Sequence, residues 1–197
     1  MLDFDLCTEK QKVAELLAAL VEGCGRHLTT GFVGTPHLLH ALSDNGYTAL
    51  AYDLLLREDH SSWLYAVNKG ATTVWEHWDG IKEDGSFWSA DMNSFNHYAY
   101  GAVFDWMFKN IGGIKQDVDS AGYTKVTFAP VPDVRLGFAD VTIETRRGLL
   151  RSAWWYEQGS IRFEFTVPEG AQANAVLPDG TTYVLQSGNH ILYTKQL

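Results

Sequence analysis

The sequence predicts an α+β chain in two parts: helical hairpins up to about Gly113, then an antiparallel β-sandwich from about Tyr123. Three observations predict it. Before Gly70, apolar residues recur at helical spacing in short blocks separated by turn residues. In Ile161-Arg162-Phe163-Glu164-Phe165-Thr166-Val167 the period changes to strict alternation, as in a strand with one buried face. Hydrophobic residues make up 46% of the 197, enough to build a core for both parts, and no apolar run approaches the ~20 residues of a membrane span.

The elements follow in order. Thr8-Glu9-Lys10-Gln11 has the form of a capping box. Val13, Leu16, Leu17, Leu20 and Val21 follow it as one stripe, and Gly23 stops the helix. Thr35-Pro36 offers an N-cap with proline at the first helical position, leading through Leu38, Leu39 and Leu42 to Asn45-Gly46. Thr48 caps a third helix through Leu50, Leu54 and Leu55, and Ser62 a shorter one through Trp63, Leu64 and Val67 to Gly70. A loop rich in Trp, Asp and Gly occupies residues 71–95, and a last helix is expected from about Asn96 to Asn110. Helices paired by short turns suggest a stacked or toroidal hairpin array. In the second part Pro130 and Pro132 mark the expected entry to the strands. Val141, Ile143 and Thr145 alternate weakly, and Gln158-Gly159 and Asp179-Gly180 read as hairpin turns. The domain division expected is 1–113 and 114–197. Four or five helices cannot close a barrel, so further helices are expected upstream, and apolar barrel faces left without partners should promote self-association.

The net charge of −9 repels phosphate backbones and argues against nucleic acid; neutral carbohydrate is the more natural partner. No membrane partner is expected. Met1-Leu2-Asp3-Phe4-Asp5 lacks a signal peptide's basic and apolar regions, which leaves the compartment open. Cys7 and Cys24 flank a helix whose ends lie roughly 20 Å apart at about 1.5 Å per residue. A disulfide needs Cα atoms about 5.5 Å apart, so both are expected reduced. No cofactor motif, phosphate loop or CxxC pair is present.

The densest chemistry lies in Gly70-Ala71-Thr72-Thr73-Val74-Trp75-Glu76-His77-Trp78-Asp79-Gly80. Here a carboxylate is flanked by two indoles, Trp75 and Trp78. Indole rings exclude water and can stack on the apolar side of a sugar, so Glu76 is a candidate catalytic group; equally, it could cap a helix or pair with an arginine, with both Trp in the core. A second cluster is Ser94-Phe95-Asn96-His97-Tyr98. Neutral His97 and Asn96 suit hydroxyl recognition, or Asn96 is only an N-cap and His97 a packed residue. His37 and His40 lie three apart, but no third ligand points to zinc, and no metal site is expected. Asp79, Glu83 and Asp84 could face a cation, although Glu83-Asp84-Gly85-Ser86 reads better as a turn.

Four stretches carry a resemblance: Leu28-Thr29-Thr30-Gly31-Phe32-Val33-Gly34-Thr35-Pro36, Ser62-Trp63-Leu64-Tyr65, Gly70 to Glu76, and Ser94-Phe95-Asn96-His97-Tyr98-Ala99-Tyr100-Gly101-Ala102-Val103. In this order and rough spacing they resemble the C-terminal barrel region of bacterial α-L-rhamnosidases of glycoside hydrolase family 78. The resemblance implies part of an (α/α)6 barrel followed by a β-sandwich, and inverting hydrolysis of terminal α-L-rhamnosides in a rhamnose-containing glycan or glycoside. Glu76 matches the family's general base and His97 a histidine that touches the sugar. Asn96, Trp75 and Trp78 would line the same pocket. The family's general acid lies in an upstream Asp/Arg-rich motif that this chain lacks. The family's proline before Ser-Trp-Leu-Tyr is replaced by Ser61. The chain is thus expected to be an enzyme fragment, inactive alone; the alternative is a non-catalytic carbohydrate-binding or accessory module.

Overall fold

The computed structural model describes residues 1–195. The chain forms two units, Met1–Phe104 and Asp105–Leu197.

The first unit is built on helices α1 (Lys10–Gly23), α2 (Thr35–Ser43), α3 (Thr48–Leu55) and α4 (Trp63–Asn68). Leu38, Leu39 and Leu42 of α2 meet Leu50, Leu54 and Leu55 of α3 as the buried core that the helical spacing predicts. The caps are only partly as expected. Ser62 does cap α4, its Oγ accepting from Tyr65 N at 3.1 Å. The capping box at Thr8 is not made: α1 starts after Glu9 without a side-chain cap, and Gln11 donates to Glu15 instead. Thr35 and Thr48 are the first helical residues, not caps, so Pro36 sits one position further in than expected. The hydroxyl of Thr35 turns back to Gly31 O at 2.9 Å. In α1 the expected single stripe is split. Ala14, Ala18 and Val21 are buried, while Leu16 and Leu20 are 59% and 68% exposed.

The expected helix 96–110 begins later and changes pitch. It is a 3₁₀ turn at Ala99–Ala102, one α turn α5 at Val103–Trp106, and a π turn at Met107–Ile111. Asn96 and His97 therefore precede the helix rather than start it. His97 still serves its end, since Ala99 N donates to His97 Nδ1 at 3.3 Å.

The second unit holds eight strands among the described residues: β1 Ile114–Gln116, β2 Lys125–Phe128, β3 Phe138–Thr145, β4 Gly148–Glu157, β5 Ser160–Val167, β6 Gln172–Val176, β7 Thr182–Leu185 and β8 Gly188–Lys195. They form two sheets, ordered β1-β2-β6-β7 and β3-β4-β5-β8. The second is antiparallel throughout; in the first, β2 and β6 run parallel. Ile161, Phe163, Phe165 and Val167 all point into the core, as their alternation predicts. Phe165 stacks on Phe128 of the opposite sheet with ring centres 4.8 Å apart, so the sheets face each other as a sandwich. Gln158-Gly159 and Asp179-Gly180 are the hairpin turns expected. Strand entry is earlier than Pro130, which lies after β2; β1 is only three residues long and too short to show a period.

Candidate active site

The loop after α4 is held by backbone pairing rather than by regular structure. Glu76 N donates to Ser94 O at 3.1 Å, and His97 N donates to Val74 O at 2.8 Å. The Thr73 hydroxyl donates to Phe95 O. Segments 73–76 and 94–97 therefore lie side by side, with Glu76 against Ser94 and Val74 against His97. Buried loop backbone has to find such partners, because its N–H and C=O groups lose water on folding.

Each candidate side chain has a distinct setting. The Glu76 carboxyl is partly buried, 22% exposed, with Oε1 3.9 Å from His77 Nε2. Trp75 is buried, its ring edge against Phe95 at 5.3 Å. Gly80 is packed onto the same pair: a Cβ there would stand 3.0 Å from the Trp75 ring and 3.1 Å from Phe95. Trp78 stacks on Tyr100 with centres 3.7 Å apart and meets the edge of Trp63 at 5.3 Å. Its indole N–H donates to Thr30 O at 3.4 Å, and that of Trp63 to Tyr100 O at 2.9 Å. Burial pushes the Tyr100 phenol up from its ordinary value. Asn96 is exposed.

His97 lies in a stack. Phe32 covers it at 4.6 Å and Tyr98 lies parallel at 5.4 Å, while Phe32 also meets the edge of Tyr100. Because His97 Nδ1 accepts from Ala99 N, the neutral ring carries its proton on Nε2. That nitrogen is then a donor, suited to a hydroxyl oxygen. Three of the four motif stretches, with Trp78 just past the remaining one, thus contribute to one aromatic cluster: Phe32, Trp63, Trp78, and His97 with Tyr100. Sequence reasoning missed Phe32, Trp63 and Tyr100 as partners; their presence in the motifs was the only signal.

Beyond the loop lies a small hairpin. Residues 81–87 fold back through an Ile81–Phe87 bridge, with Lys82 N donating to Ser86 O at 2.8 Å. Asp84 accepts from Ser86 N and Oγ, and that hydroxyl above all holds its carboxyl below the usual range. These are turn contacts, as Glu83-Asp84-Gly85-Ser86 suggested. Helix α4 anchors the hairpin: Tyr65 Oη donates to Ile81 O at 2.9 Å, and Lys69 Nζ to Lys82 O at 3.2 Å. Burial, then the charges of Glu83, Asp79 and Asp84, raise the Tyr65 phenol. The returning chain lays Trp88 on His77, centres 3.6 Å apart and planes within 7°. His37 is bonded to Asp3, Nδ1 to Oδ2 at 2.5 Å. Among the described residues no group of three His, Cys, Asp or Glu is placed to hold a metal ion.

Residues 1–111 match the family described as bacterial alpha-L-rhamnosidase 6 hairpin glycosidase domain, and residues 113–191 the bacterial alpha-L-rhamnosidase C-terminal domain. An alpha-L-rhamnosidase of Streptomyces avermitilis is 41% identical over 169 residues, covering 86% of this chain and 16% of that protein. One of Formosa agariphila is 37% identical over 190 residues, covering 95% of this chain and 20% of its own length. Among solved structures, the Streptomyces avermitilis enzyme complexed with L-rhamnose superposes with a TM-score of 0.88 at 37% identity, over 94% of this chain and 20% of that one. The native Aspergillus terreus enzyme does so with a TM-score of 0.88 at 33% identity, over 93% and 21%. The chain therefore spans about a fifth of the length of such relatives.

Proposed function

The chain belongs to the bacterial α-L-rhamnosidase family, and we propose that it supplies the general base and part of the sugar-binding wall of an inverting enzyme that removes terminal α-L-rhamnose from glycosides or polysaccharides. The observation that carries this reading is the pairing of segment 73–76 with 94–97, Glu76 beside Ser94 and His97 beside Val74, within the stretch that matches the glycosidase domain.

In the proposed reaction Glu76 takes a proton from water as its oxygen attacks the anomeric carbon. A second carboxyl, the general acid, protonates the departing oxygen. Inversion requires the two to stand about 6.5–9.5 Å apart with the water between them. The acid is proposed to come from chain outside these 197 residues. His97 donates through Nε2 to a rhamnose hydroxyl, and Asn96 adds a second polar contact. Trp78 forms the apolar wall, with Trp75 supporting it from the buried side. Residues 1–113 would then be the barrel portion and 114–197 the sandwich. The L-rhamnose bound in the related Streptomyces structure supports the choice of sugar.

The test is a hybrid: this chain in place of the corresponding C-terminal part of the Streptomyces avermitilis enzyme. Glu76→Gln keeps shape but removes the proton acceptor, so turnover of an aryl rhamnoside should fall by about 10²–10⁴-fold with KM little changed. His97→Ala removes a contact made before and during the transition state, and should raise KM at least as much as it lowers kcat. Near-normal turnover by the Glu76→Gln hybrid would make the carboxylate structural.

A further inference from the structure

The neighbour of Glu76 is held more firmly than a loop histidine needs to be. His77 Nε2 stands 3.9 Å from Glu76 Oε1, too far for a direct hydrogen bond but within ionic reach. Its other surroundings are set by Trp88, which lies flat on the imidazole at 3.6 Å and 7°. Trp88 is not there by sequence proximity. The 81–87 hairpin returns the chain to that place, Trp88 N donates to Gly80 O at 3.1 Å, and Gly80 N donates to His77 O at 3.2 Å. Tyr65 and Lys69 fix the hairpin to α4, whose own start is capped by Ser62. A chain of contacts therefore runs from a helix through a hairpin and an indole to an imidazole, and ends beside one carboxylate.

We infer that His77 is a positioning residue for Glu76 and that Trp88 is the clamp that fixes it, a role that rests on Glu76 being the base. A carboxylate whose single bonds are free to turn samples orientations in which neither oxygen faces the attacking water. A flat cation-capable ring pinned within 4 Å of one oxygen limits those orientations. Imidazole alone would not do this, because its own side-chain torsions are free; the stack on Trp88 removes that freedom. Misplacement of a reacting group by as little as about 1 Å can cost about 10²-fold in rate.

Two measurements test the clamp. In the 197-residue chain itself, the ring protons of His77 should resonate upfield of ordinary imidazole values because they lie in the shielding region of the indole. Trp88→Ala should release them, and Trp88→Phe should not. An unshifted His77 in the unmodified chain overturns the clamp outright. In the hybrid enzyme, His77→Ala and Trp88→Ala should each lower kcat by about 10–10²-fold while KM stays within about twofold. The double variant should be no worse than the poorer single one, since the two act through one link. Trp88→Phe should keep most of the turnover. Additive losses, or a rise in KM showing that Trp88 touches the sugar, would overturn the inference. Glu76→Gln is run alongside. If it retains turnover, the base assignment has failed; if it is inactive while both alanine variants turn over normally, the clamp alone has failed.

Discussion

Gly113→Ala should be among the most damaging small changes in the sandwich unit. Gly113 has a φ of 70°, in the left-handed region, and an added Cβ would stand 2.1 Å from Pro130 N and 2.4 Å from the carbonyl carbon of Ala129. These are backbone atoms, which cannot swing aside as a side chain can. They are also held in place, because Ala129 N donates to Gly113 O at 2.8 Å where β1 follows the π turn. The left-handed conformation costs a residue with a Cβ about 1–2 kcal/mol. Forcing extra volume into packed structure adds about 1–3 kcal/mol. The sum is about 2–5 kcal/mol, a large share of the stability of a domain this size. Gly159→Ala is the control. Its φ of 74° is nearly the same, but no heavy atom lies within 4 Å of the added Cβ. It should lose only the conformational part, so the difference between the two variants isolates the clash at about 1–3 kcal/mol. Urea denaturation followed by tryptophan fluorescence reads it, since Trp154 is fully buried in this unit. Equal destabilisation by the two substitutions would refute the reasoning.

Three further outcomes are expected. Leu16 and Leu20 of α1 and Val67 of α4 are more than half exposed, so the isolated chain should associate at micromolar concentration in sedimentation, and Leu16→Glu with Leu20→Glu should shift it towards monomer. The isolated chain should hydrolyse an aryl rhamnoside little or not at all, because the proposed general acid lies elsewhere; robust turnover would place both carboxyls within it. Arg135 donates to Asp133 from Nε, Nη2 and its backbone N–H, which holds that carboxyl below its usual range. Its contribution is therefore present above the unfolded carboxylate value of about 3.9 and lost as pH falls through the lower folded value. Asp133→Asn should lower the urea midpoint at neutral pH and flatten its fall below about pH 4.

The fold was legible wherever a period had room to repeat. Ile161 to Val167 declared both its strand and its buried face, and Leu38 to Leu55 declared the α2–α3 core. Local chemistry that closes within one turn was legible in part: Ser62 and Gln158-Gly159 act as expected, whereas Thr8, Thr35 and Thr48 do not make the caps their types suggest. What escaped depended on partners far along the chain. Ile114 to Gln116 is too short to show a period and becomes a strand only because β2 pairs with it. The parallel match of β2 with β6 leaves no local trace, because each strand alternates in the same way whichever direction its neighbour runs. Leu16 and Leu20 satisfied the helical pattern as well as Ala14 and Ala18 did, and only tertiary packing chose between the two faces.

The site was legible for a different reason. Residues 71–97 have no period, and composition alone could not separate a catalytic Glu76 from a structural one. The resemblance of motifs picked out Glu76 and His97, and the structure explains why those motifs are joined in space. The residues between Thr73 and Glu76 and between Ser94 and His97 satisfy each other's backbone groups, so neither segment keeps its shape without the other. The side chains that complete the site follow from that pairing and not from spacing: Phe32 reaches His97 from the α2 approach, and Trp88 reaches His77 from the far side of a hairpin. A loop of this kind cannot draw on helix or strand geometry for rigidity. Here the rigidity comes from stacked rings and cross-loop hydrogen bonds, whose partners are distant in sequence, and that is why the residues of this site could be named from motifs before their contacts could be derived.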